Sequence, residues 1–161
     1  YEYLNFQGGV DIIILYFLRL VTSVIYSSYP TFNIHPSLLP AFSGFRPVER
    51  AWEAGVKFLG ASLHQVDSSV DNGPLVAQMV MPISPSDTLE RLEKYSYLQK
   101  VYLALLLVDL FEQKTVRIEE GKLISLKEYP FNDRSCPALS EGKLLDRFQA
   151  LQKKEGIEVV Q

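Results

Sequence analysis

Residues 10–15, VDIIIL, are mostly branched apolar side chains, the pattern of a strand covered on both faces in a parallel sheet. Residues 17–29 are mixed and predict a helix that stops before Pro30, after which TFNIH (31–35) is short, β-prone and ended by Pro36. SLLPAFSGFRP (37–47) carries two prolines and a glycine and predicts irregular chain, whereas PVERAWEAG (47–55) opens on Pro and closes on Gly, as a short helix does. KFLGASLHQV (57–66) and PLVAQMVMPI (74–83) read as strands joined by a polar, acidic loop, DSSVDNG. Asp87 stands three residues before Glu90, a capping-box spacing that predicts the start of a long helix. Leu89, Leu92, Val101, Leu105, Val108 and Phe111 keep helical spacing to about Gln113 and are expected to cover a sheet. Residues 116–126 predict a hairpin around Glu120 and Gly121, YPFNDRSCPALSEG a surface loop, and residues from about Ser140 to Lys154 a charged amphipathic helix.

The alternation of strands and helices implies an α/β class, with a mostly parallel twisted sheet flanked by helices. Residues 1–127 are expected to form the main domain and 128–161 a carboxyl-terminal loop and helix extension. A chain of 161 residues, 47% apolar, suits one continuous core. The net charge of −3 and the lack of a Lys/Arg run argue against nucleic acid as a partner. The apolar runs GVDIIILYFLRL and VYLALLLVDLF are broken by Arg19 and Asp109, well short of the roughly 20 residues of a membrane span. Cys136 is the only cysteine, so no internal disulfide forms, and a reducing cytoplasm is the expected setting. The opening YEYLNFQGG reads as a native helix end stopped by Gly8 and Gly9.

Chemistry concentrates in FNIHPSLLPAF. In a strand, residues two apart share a face, so Asn33 and His35 project together at the carboxyl end that Pro36 terminates. Open α/β sheets bind ligands at that end. An amide and an imidazole side by side both donate hydrogen bonds, as the oxyanion of an attacked carbonyl requires. A carboxylate beside them would hold the imidazole protonated and pass a proton from an attacking amine, and Asp71, in VDNGP, is the candidate. Three other readings stand beside this one. Ser37 lacks the strand-turn-helix setting of a nucleophile and reads as a loop cap. A metal site built from His35, His64, Asp67 and Asp71 lacks diagnostic ligand spacing, so no metal is expected. A bare Asn-x-His at a strand end is equally well a structural feature.

NIHPSLLPAFSG (33–44), GASLHQVDSSVDNGPLVAQ (60–78) and SPSDTLERL (84–92) together resemble the folate-dependent formyltransferases, most of all the phosphoribosylglycinamide formyltransferases. The resemblance covers about residues 11–120. It implies formyl transfer from 10-formyltetrahydrofolate to an amine, with Asn33, His35 and Asp71 as the catalytic trio. It further implies a folate crevice involving Arg19, Val21, Val66 and Asp67, with His64 either a hydrogen-bonding support or a core histidine. The implied partners are folate and a small-molecule amine, with a homodimer also entertained, and the implied setting is purine biosynthesis. Two departures bear on the acceptor. No glycine-rich phosphate loop precedes Asn33, and Lys100 and Val101 stand where nucleotide-binding members carry a Glu-His pair. GFRPVERAW resembles a stretch of methionyl-tRNA and sugar-nucleotide formyltransferases, so a sugar amine is an alternative acceptor, as are hydrolysis by a deformylase and folate binding without turnover. A strand at 10–15 without neighbours would leave an open edge, so further residues or a partner chain are expected there.

Overall fold

The computed structural model describes residues 9–16 and 21–160. Arg19, residues 17–20 of the helix expected at 17–29 and the helix end expected before Gly8 lie outside them. Within the described residues, β1 (Ile13–Leu15), β2 (Thr31–His35), β3 (Phe58–Gln65), β4 (Leu75–Pro82) and β7 (Ser135–Cys136) form one sheet in the order β1-β2-β3-β4-β7. β5 (Val116–Glu119) and β6 (Lys122–Ser125) form the expected hairpin. The helices are α1 (Ser23–Ser28), α2 (Pro47–Glu53), α3 (Leu89–Glu112) and α4 (Lys143–Glu155). None of the described helices is long and apolar enough to cross a membrane.

The α/β layering agrees with the sequence, but the strand directions are mixed. β1 runs parallel to β2, while β2–β3, β3–β4 and β4–β7 are antiparallel. For β3 and β4 the physical reason is the connection: the loop between them is too short to hold a crossover, so the chain must turn back on itself. β1 is the terminal strand of this sheet, and Ile13 and Ile14 are half-buried instead of covered on both faces.

The core lies between the sheet and α3. Phe32 and Ile34 of β2, Leu59, Ala61 and Leu63 of β3, and Ala77, Met79 and Met81 of β4 alternate along their strands and are all buried. They meet Leu92, Leu98, Tyr102, Leu103, Leu106, Leu107 and Leu110 on α3. This differs from the face read from sequence. Of that set only Leu92 is buried, Val108 is exposed, and Leu89, Val101, Leu105 and Phe111 pack on the flank. The run VYLALLLVDLF is apolar almost all round, so its phase is ambiguous, and the inward face includes the polar Gln99, whose amide has no hydrogen-bond partner among the described residues. The helix start also differs. Thr88 is the N-cap and accepts from the Arg91 amide, whereas Asp87 accepts from the Ser84 amide and pairs with Arg91.

The segment YPFNDRSCPALSEG is only partly a surface loop. Ser135 and Cys136 add β7 to the sheet, and Ala138 and Leu139 are buried. A seemingly polar stretch joins the core because its backbone is satisfied from α3: the Leu139 amide donates to the Tyr102 hydroxyl at 2.9 Å and the Ser140 amide to Asp109 at 2.9 Å. Asp109, which broke the apolar run, is thus a buried acceptor. Phe148 of α4 then packs edge-on against Tyr102. Tyr102→Phe would strand the Leu139 amide in a buried setting, and urea unfolding is expected to show a loss of about 1–3 kcal/mol.

Candidate active site

Antiparallel pairing sets opposite residues on the same face of a sheet. Asn33 pairs with His64 and His35 with Ser62, so the face turned away from the core carries two polar rows across β2 and β3. Ser62 in turn pairs with Gln78 on β4. The first row makes a direct contact, Asn33 Nδ2 lying 3.2 Å from His64 Nε2. The His64 Nδ1–H donates to the Gln65 carbonyl at 3.1 Å, which leaves Nε2 bare to accept from the Asn33 amide. Desolvation pulls the His64 imidazole below its ordinary value, against the Gln65 carbonyl and the Asp71 charge, so its neutral form is favoured.

Asp71 reaches these rows from the loop between β3 and β4. Its backbone is left-handed, with φ of 50°, a conformation that Asp and Asn tolerate better than most residues. The loop closes tightly behind it: a Cβ added to Gly73 would lie 1.9 Å from the Gln65 carbonyl oxygen, so only glycine fits. The Asp71 carboxylate lies 3.2 Å from His35 Nδ1 and 3.5 Å from Asn33 Nδ2, and it accepts from the Gly44 amide at 2.9 Å. His64 Nε2 is 3.7 Å away. The other His35 nitrogen, Nε2, lies 3.0 Å from the Phe42 carbonyl. With acceptors at both nitrogens, the imidazolium is the form of His35 that satisfies both.

The three residues singled out from sequence as a trio are therefore brought together, and His64 joins them. All four line a cavity of about 430 Å³. Val21, Val66 and Asp67 line it too, while Arg19 lies outside the described residues. The Asp67 carboxylate is engaged by the Ser69 hydroxyl and amide, which hold it below the usual carboxylate range and fold the loop locally. Ser37 acts as a loop cap, its hydroxyl donating to the Ala41 carbonyl at 2.6 Å. Among the described residues no three His, Cys, Asp or Glu side chains are placed to hold a metal ion together. Leu15, Tyr26 and Phe45, which belong to no polar motif in the sequence, also line the cavity. The Phe42 carbonyl and Gly44 amide are not legible in the sequence, because backbone groups leave no trace in residue identity beyond the Gly in FSG.

A family model described as formyl transferase matches residues 5–103. The chain belongs to the formyl transferase family. Among its relatives in that family is the phosphoribosylglycinamide formyltransferase of Bacillus subtilis, 44% identical over 80 residues, or 48% of this chain and 41% of the relative. Formyltetrahydrofolate deformylase 2 of Arabidopsis thaliana, a mitochondrial protein, is 35% identical over 127 residues, 71% of this chain and 39% of that protein. In three dimensions, glycinamide ribonucleotide transformylase 1 from Symbiobacterium toebii superimposes with a TM-score of 0.64 at 34% identity, covering 73% of this chain and 57% of that one. The chain thus spans less than half the length of these two sequence relatives. Both transferases and deformylases of the formyl transferase family are among its matches.

The neutral state of His64 has a consequence for stability. Because its value in the fold lies below the ordinary 6.5, the unfolded chain binds the proton more readily. Its stabilising contribution is complete above about pH 6.5 and is lost as pH falls through the lower folded value. Thermal unfolding followed from about pH 8 to pH 5 is expected to show stability falling at the acid end, with a shallower fall in His64→Gln.

Proposed function

We propose that this chain transfers a formyl group from 10-formyltetrahydrofolate to an amine, with Asn33, His35 and Asp71 carrying the chemistry. The observation that supports it most is the Asp71 carboxylate set 3.2 Å from His35 Nδ1 beside Asn33 in one cavity. Val21, Val66 and Asp67 would lie against the pterin. Attack of the amine nitrogen on the formyl carbon moves negative charge onto the formyl oxygen. Asn33 can meet that oxygen by releasing its 3.5 Å bond to Asp71, the longer of its two bonds. The His35 imidazolium supplies a second N–H, shared with the Phe42 carbonyl, and its positive charge opposes the new oxyanion. Asp71, through a water, takes the proton of the attacking amine and returns it to the folate nitrogen as the tetrahedral intermediate collapses. The acceptor in this reading is an amine of the glycinamide ribonucleotide kind.

A second reading has water as the acceptor. It is favoured by the deformylase relative, whose match extends over 71% of this chain. The same trio would then direct water at the formyl carbon and release formate.

Release of tetrahydrofolate, measured with glycinamide ribonucleotide, with other amines and with no amine, separates the two readings. His35→Ala and Asp71→Asn are each expected to lower turnover on the order of 10²-fold or more. Undiminished turnover in both variants would remove the trio from the mechanism.

A further inference from the structure

The partners that complete the His35–Asp71 pair come from a single loop. Phe42 offers its carbonyl to His35 Nε2 and Gly44 its amide to Asp71. Residues 36–46 have no strand or helix of their own, so something else must fix where these two backbone groups sit. Arg50 of α2 holds the far end, donating to the Ser43 carbonyl at 2.6 Å, and the second polar row holds the near end. Ser62 Oγ donates to the Ser37 carbonyl at 2.7 Å and accepts from the Leu39 amide at 3.0 Å. Gln78 Nε2 donates to that same Ser62 oxygen at 2.8 Å and to the Leu39 carbonyl at 3.1 Å. Gly60, also on β3, leaves the space into which Leu38 packs, since a Cβ there would lie 2.4 Å from the Leu38 side chain. The loop is thus gripped along 37–39, and its far end reaches the trio at 42 and 44.

We propose that Gln78 is a positioning residue for this site: through Ser62 and the Leu39 carbonyl it holds the 36–44 loop so that the Phe42 carbonyl fixes His35 and the Gly44 amide fixes Asp71. Gln78 touches none of the trio and does not line the cavity. It sits two strands away in the same transverse row, because His35 pairs with Ser62 and Ser62 with Gln78. Both amide hydrogens are used, one on a side chain and one on a backbone carbonyl, so neither a carboxylate nor an apolar side chain of equal size replaces it. The effect on turnover rests on the formyl-transfer reading. The effect on the geometry of His35 does not.

The test compares Gln78→Leu with wild type by two measurements. Ring nitrogen–proton correlation spectra read the two histidines directly, since the chain has only two, and His64→Gln assigns them. His35 is 2% exposed, which protects its ring protons from exchange. Gln78→Leu is expected to shift or lose the His35 Nε2–H signal. With the acceptor that wild type uses, its kcat is expected to fall by about tenfold to a hundredfold, with KM for the folate donor held within about twofold. Should Gln78→Leu fail to fold, Ser62→Ala removes one hydroxyl from the same grip and is read in the same way. Unchanged His35 signals in the folded variant would overturn the proposal, as would a rise in KM with kcat intact. If wild type itself shows no turnover, the formyl-transfer reading falls and the spectra alone decide the role of Gln78.

Discussion

One carboxylate organises this end of the molecule. Asp71 draws on a loop amide, an imidazole and a side-chain amide at once, the first from the loop after β2 and the other two from β2 itself. A charge this enclosed is stable only when its lone pairs are used, and the penalty for leaving it unpaired exceeds the gain from any single contact. The left-handed backbone at Asp71 is a local strain that the carboxylate's bonds offset. The two histidines beside it differ, since burial favours the neutral form of His64 against the pull of this charge. His35, bonded to it, presents two donors, while His64, turned toward the Gln65 carbonyl, stays neutral and accepts. Neighbouring groups in opposite states are what proton transfer needs.

The fold's contribution is register. Three antiparallel ladders fix which residues stand opposite one another, and two of the resulting pairs, Asn33–His64 and His35–Ser62, carry the polar face. The ladder between β3 and β4 shifts by one residue after Leu63, so that His64 stands opposite Leu75 while Leu63 stays opposite Ala77. Bulges of this kind re-aim side chains near sites. Here the irregularity falls where the strand leaves the core and its chain turns toward Asp71.

Most of the elements were legible in the sequence because their signals were local. Proline and glycine marked the ends of α2, the turn residues marked the loop with Asp71 and the hairpin, and period two placed Asn33 with His35. What was not legible depends on partners far along the chain. The inward phase of α3 was hidden because apolar side chains surround it between 101 and 111, and because Gln99 is buried. The cap at Thr88 was misread because Asp87 has the right residue type but is drawn away by Ser84 and Arg91. β7 was missed because two residues give no periodicity. The direction of β4 against β3 followed from connection length, which a parallel-looking run such as VDIIIL does not report. At the site, side chains were found and backbone groups were not: the Phe42 carbonyl and the Gly44 amide are as close to the chemistry as the trio, yet any residue could supply the first.

The alternation along β2 and β3 separates two kinds of residue. Phe32, Ile34, Leu59, Ala61 and Leu63 face α3, while Thr31, Asn33, His35, Gly60, Ser62 and His64 face the other way. Stability and chemistry are therefore written on alternate letters of the same two words. A change of acceptor, whether by natural drift or by randomising side chains, can proceed along one set while the other keeps the sheet folded. The two sides meet where a glycine is required by packing, so Gly60, which touches no reacting atom, is the position at which the freedom to explore new chemistry ends.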